Sequence, residues 1–197
     1  MYNFKEEQVN LFSNLVINNI QMVSSLSKMQ LLDIQNDDIK EQIKLFTSRI
    51  LTANLIQKFY CQINNYKQID IYDCFVELIK IMRSIYSINI SVNIECRIKF
   101  IDVNFLNSIM MITNELLITS ISHREQKENN ENIYISFSQL ENNYILLYKD
   151  NFVDYKICTM KQGGLNLIDG LINQHFGKIK YFTEDQGVKL IINIPTI

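Results

Sequence analysis

Few residues in this chain could do covalent chemistry. It holds two histidines, His123 and His175, and four cysteines, Cys61, Cys74, Cys96 and Cys158. A zinc site or a disulfide framework needs such residues at short, regular spacing, and no C-x-x-C pair occurs, so the cysteines read as free thiols. A nucleophilic serine elbow would show G-x-S-x-G, and a phosphate-cradling loop a glycine-rich run ending in lysine; neither is present. His123 closes an apolar run and His175 follows "GLINQ", and both read as structural or surface residues. What remains is one helical stretch, "FSNLVINNIQMVSSL", whose polar side carries the amides Asn14, Asn18 and Gln21. A carboxamide nitrogen has its lone pair delocalised into the carbonyl, so Asn14 can hydrogen-bond but is no nucleophile.

These residues need elements to position them, and 197 residues suffice for one good-sized domain, or a small one with an appendage. Hydrophobic content of 47% is ample for a core, and a net charge of -2 gives no electrostatic reason to expect nucleic acid. No apolar run approaches the roughly eighteen residues of a membrane span. The opening "MYNFKEEQVN" is acidic and polar, unlike a secretion signal, so a cytoplasmic protein with no membrane partner is expected.

Apolar periodicity predicts two helices in the first third, the first from about Asn3 to Gln30. The stretch "DIQNDD" breaks the pattern and offers Asp37 and Asp38 as N-caps. The second helix carries Ile39, Ile43, Phe46, Ile50, Ala53, Ile56, Tyr60 and Ile63 along one face. Both stripes are wide, and an antiparallel hairpin has only one mutual interface. A second copy closing a four-helix bundle would bury the surplus, making a homodimer through residues 3–64; packing on the chain's own remainder is the alternative. Residues 1–65 thus form a helical hairpin and 66–197 a second unit. That unit reads as a short strand and helix in "IDIYDCFVELIKIMRSIY", a half-buried strand in "ISVNIEC", a strongly apolar helix from Val103 to Ser122 and a solvated loop in "REQKENNEN". A strand pair, "IYISFSQL" and "YILLYKD", follows, then a helix in "GLNLIDGLINQHF" and a closing hairpin, "GKIKYF" and "GVKLIINIP". Helices against one face of a largely antiparallel sheet make an α+β domain.

This order resembles the core of a sensor histidine kinase, a dimerising hairpin followed by an ATP-binding α/β sandwich. One subgroup carries an acceptor helix reading H-R-x-K-N-N-L-Q-x-I-x-S-L. Asn14 to Leu26 lie in that register: Asn18, Asn19 and Gln21 keep the N-N-x-Q core and Ser25 and Leu26 the S-L end. The acceptor histidine has become Asn14, and the basic pair Leu15 and Ile17. "NELLITSISH" resembles the family's N-E-L-V-T-N-A-L-K-H helix; Asn114 and Glu115 are kept, while the magnesium-binding asparagine is Thr119. "YKDNFVDY" resembles the adenine-holding D-x-G-x-G, with Asp150 kept and the glycines replaced by Phe152 and Asp154. "GGLNLI" resembles the phosphate-side G-x-G-L, with Gly164 kept and its partner now Asn166, and Gly187 fits the late glycine before the last strand. The lid over ATP is short or absent.

The resemblance implies a degenerate relative of histidine kinases, close to dimeric histidine phosphotransferases with a decayed ATP domain. ATP and magnesium binding are expected to be lost. Phe152 and Asp154 restore a Cβ where close backbone approach was needed. Asp150 alone would contribute about 1.5–3 kcal/mol, against about 4 kcal/mol for even millimolar affinity. What the resemblance leaves is a docking surface for a response-regulator receiver domain or a cognate kinase: Asn14, Ile17, Asn18, Gln21, Met22 and Ser25. Two alternatives stand beside it: an active phosphotransferase or kinase with an unrecognised or altered acceptor, and a purely structural dimer.

Overall fold

The computed structural model describes residues 20, 22, 35–62, 68–122, 132–151, 162–183 and 187–196. The expected first helix lies outside these residues except for Ile20 and Met22, both helical. The first fully described element is helix α1, Asp37–Gln62. Its cap is Asn36, whose Oδ1 accepts the Ile39 N–H at 3.1 Å. Asp37 and Asp38, expected as caps, instead occupy the first turn, where their negative charge interacts favourably with the positive end of the helix dipole.

The α/β unit opens with β1 (Gln68–Asp70) and α2 (Ile71–Tyr86). Asp70 caps α2 by accepting the Tyr72 N–H at 3.0 Å, and Ser87 ends it in the left-handed conformation at φ 53°. Phe75, Leu78, Ile79 and Met82, spaced three and four apart along its inner face, are all buried. Then come β2 (Ser91–Cys96), β3 (Phe100–Asp102), α3 (Val103–Ser122), β4 (Asn132–Leu140), β5 (Asn143–Asp150), α4 (Gln162–Gln174), β6 (Lys178–Thr183) and β7 (Val188–Pro195). The three-residue β3 was absent from the sequence reading; too short to show alternation, it exists because it pairs with β1.

The main sheet has the order β2-β4-β5-β7-β6, and every pair is antiparallel except β2 with β4. Alternate residues turn inward. Tyr144, Leu146, Tyr148 and Asp150 of β5 are buried, as are Val188, Leu190, Ile192 and Ile194 of β7. α2, α3 and α4 share one core with that face, confirming the α+β class.

α3 is buried on most sides, by Leu106, Ile109, Met110, Ile112, Leu116 and Leu117. Its window Phe105–Ser122 is long and apolar enough to cross a membrane by length and composition, contrary to the sequence reading, but 67% of it is buried within the fold. A helix covered on several sides needs no polar stripe.

α1 lies antiparallel along α3. Near one end Ser122 Oγ donates to Glu41 Oε1 at 3.2 Å, and further along Arg49 meets Glu115 and Thr52 meets Asn114. The stripe read from the sequence does not all point one way. Ile56 is buried, but Ile39 and Phe46 remain 51% and 59% exposed. Where α1 meets α3 it contributes polar residues, Ser48, Arg49 and Thr52. Hydropathy patterning cannot anticipate this, because it assigns polar residues to solvent.

Candidate functional site

Asn114 and Glu115 sit midway along α3, and both are buried, Glu115 to 2% exposure. A buried carboxylate requires a partner. Arg49 supplies it in a two-pronged pair, Nε to Oε1 at 2.8 Å and Nη2 to Oε2 at 2.7 Å. Those hydrogen bonds raise the guanidinium pKa above its ordinary value, against the opposing effect of burial. Thr52 Oγ1 donates to Asn114 Oδ1 at 3.1 Å, and Asn114 Nδ2 reaches Ser48 Oγ at 3.5 Å.

Gly164, in the first turn of α4, faces the same carboxylate: a Cβ there would lie 3.3 Å from Glu115 Oε2. The structure therefore brings together three of the four residues assigned to a nucleotide site, Asn114, Glu115 and Gly164. It adds Arg49 beside them, paired with Glu115. Thr119, at the magnesium position, donates its hydroxyl to the Glu115 carbonyl one turn back, at 2.8 Å. Asn166 is exposed on α4.

Asp150 stands apart at the end of β5, 1% exposed. Its Oδ2 accepts from Ser120 Oγ at 2.5 Å, and its Oδ1 accepts the Val188 N–H at 3.0 Å. Ser120 Oγ is also 2.7 Å from Tyr148 Oη. Both carboxylate oxygens are thus engaged by the protein. Gly187 holds this corner closed at φ 81°, and a Cβ on it would stand 2.1 Å from the Asp150 carbonyl oxygen. Phe152 and Asp154 lie outside the described residues, as do Asn14, Ile17, Asn18, Gln21, Ser25 and His123. Met22 of the expected docking face is 59% exposed. His175 shares a 2.8 Å hydrogen bond with Ser108 Oγ, its ring 4.9 Å from that of Phe105. Among the described residues no three His, Cys, Asp or Glu side chains converge as a metal site would need.

The sequence reading missed Arg49, Ser48, Thr52 and Ser120. A signal for Ser120 was present: a hydroxyl on the most apolar helix must find a partner inside. Arg49 and Thr52 carried none, since polar residues on an amphipathic helix ordinarily face water.

Residues 16–86 match the family model described as "Histidine kinase". No curated protein sequence matches. Among solved structures, the histidine kinase domain of the blue-light activated histidine kinase of Erythrobacter litoralis aligns with TM-score 0.66 at 13% identity, covering 97% of this chain and 94% of that one. The longer structure of the same kinase aligns with TM-score 0.67 at 12% identity, with 93% of this chain covering 59% of it. Acinetobacter baumannii histidine kinase AdeS aligns with TM-score 0.52 at 15% identity, covering 91% and 96%. The chain thus resembles histidine kinases in sequence over residues 16–86 and in fold over nearly its whole length.

Proposed function

We propose that this histidine-kinase-like chain is a two-component signalling protein that works by binding rather than by phosphoryl transfer. In this reading it is a cytoplasmic homodimer. It engages a response-regulator receiver domain, or a cognate kinase, through the first hairpin helix around Asn14, Ile17, Asn18, Gln21, Met22 and Ser25, and scaffolds or sequesters that partner. The observation that carries the reading is the internal satisfaction of the residues nearest to a nucleotide site. Glu115 is neutralised by Arg49, and both Asp150 oxygens are taken by Ser120 and Val188. Binding a nucleotide would require breaking those contacts, and a buried carboxylate stripped of its partner is strongly destabilising. At the acceptor position the carboxamide of Asn14 offers no nucleophile.

Calorimetric titration with ATP and magnesium tests the loss of nucleotide binding, and no heat of binding is expected at micromolar protein. A low-micromolar dissociation constant would restore the kinase reading. Incubation with a receiver domain carrying radiolabelled phosphate tests the acceptor, and the chain should stay unlabelled while capturing the receiver.

A further inference from the structure

We propose that Arg49, Thr52, Asn114 and Glu115 form an interdomain latch that holds helix α1 in one orientation on the α/β unit. Three observations converge. Besides the end contact of Glu41 with Ser122, the polar contacts of α1 with α3 come from one turn, Ser48, Arg49 and Thr52, spaced three and four apart on one helical face. Their receptors, Asn114 and Glu115, are among the most deeply buried polar residues of the core, so the latch is anchored on a rigid helix. Arg49 itself retains 32% side-chain exposure, so the pair lies at the boundary between the helix and solvent and can be undone from outside.

The chemistry suits an oriented hold. A two-pronged guanidinium–carboxylate pair fixes direction as well as distance, which a lysine or an apolar contact does not. Apolar burial of Leu55 and Ile56 in the shared core helps to hold α1, and the polar pair sets its orientation. Gly164 completes the seat, because any side chain there would press on Glu115 Oε2. With the latch closed, Ile39 and Phe46 remain on the solvent side of α1. Only the assignment of Asn114 and Glu115 to a former nucleotide site rests on the reading above. The latch is measured on the protein alone, without nucleotide or receiver domain, so the two ideas fail separately.

Hydrogen exchange followed by mass spectrometry on the full chain is the test. In Arg49→Met/Glu115→Gln both charges go together, so no buried charge is orphaned. Exchange across residues 45–56 should accelerate at least tenfold, while α3, β5 and β7 keep wild-type rates. Equal acceleration of α1, α3 and the sheet would make the pair an ordinary core contact and overturn the latch, as would unchanged exchange in α1. Should the double variant fail to fold, Arg49→Lys decides by the same criterion: it keeps the charge and removes the fork. A smaller acceleration confined to α1 supports the latch, and a uniform or absent change rejects it.

Discussion

At the scale of single residues, side chains that resemble a kinase's nucleotide contacts are bonded within the protein. Asp150 shows this most plainly. The resemblance assigns it to adenine, yet its two oxygens tie the end of β5 to α3 and to the first residue of β7. Asp150→Asn should therefore cost about 1.5–3 kcal/mol, the range for hydrogen bonds to a charged group. Urea unfolding measures this, and the response to ATP should not change. Gly187 is the more sensitive position at that corner. Its positive φ suits glycine alone, and an added methyl would collide with the Asp150 backbone. Gly187→Ala should destabilise by at least ~1–3 kcal/mol, the usual cost of a strained backbone, with a lower midpoint in the same urea titration. A midpoint within error of wild type would show that the corner can relax.

At the scale of elements, α1 has two contrasting faces. One meets α3 through polar groups, and the other exposes Ile39 and Phe46. In the proposed homodimer these two residues are where a second copy would pack. Phe46→Glu should convert a dimer to a monomer, read by light scattering after size exclusion, without lowering the melting temperature of the α/β unit. The first helix carries the complementary prediction. By helical spacing in the sequence, Ile17 falls next to Asn14, Asn18, Gln21 and Ser25, where the resembled kinase pattern has a charge. If it anchors a receiver domain in a desolvated pocket, Ile17→Glu should abolish receiver binding with dimer and melting temperature intact. Unfolding, or unchanged affinity, would place Ile17 in the core or outside the interface. Asn14→His, with the docking geometry preserved, should regain phosphate from a phosphorylated receiver without ATP.

At the scale of the molecule, burial sets the response to pH. Burial, reinforced by Asp73 and Asp70, pushes the Cys74 thiol up to about 12. Burial with Asp70 and Glu95 raises Cys96 to about 11. A thiol whose folded pKa lies above its unfolded value stabilises the fold fully below the unfolded pKa. That stability is lost as pH rises through the window from about 9 to 12. Urea midpoints should hold steady to about pH 8.5 and then fall as the pH rises further. Cys74→Ala should flatten that fall, and an equal slope in the variant would assign it to other groups.

Local chemistry and periodicity in the sequence sufficed for most of the α/β unit. The α2 face of Phe75, Leu78, Ile79 and Met82, the bounds of α3, the strand pair β4 and β5 and the closing hairpin all follow from patterns a few residues long. The kinase-like order of elements was legible for the same reason. Three features were decided only by the tertiary structure. Strand β3 exists through its pairing with β1, which no three-residue window encodes. The cap of α1 fell to Asn36, one residue before the acidic pair, because the helix begins where the cap geometry closes. Above all, the burial of Arg49, Ser48 and Thr52 against Asn114 and Glu115 joins residues more than sixty positions apart. Each is polar, and polarity alone sends a residue to water. Only a specific partner, brought near by the fold, makes its burial affordable.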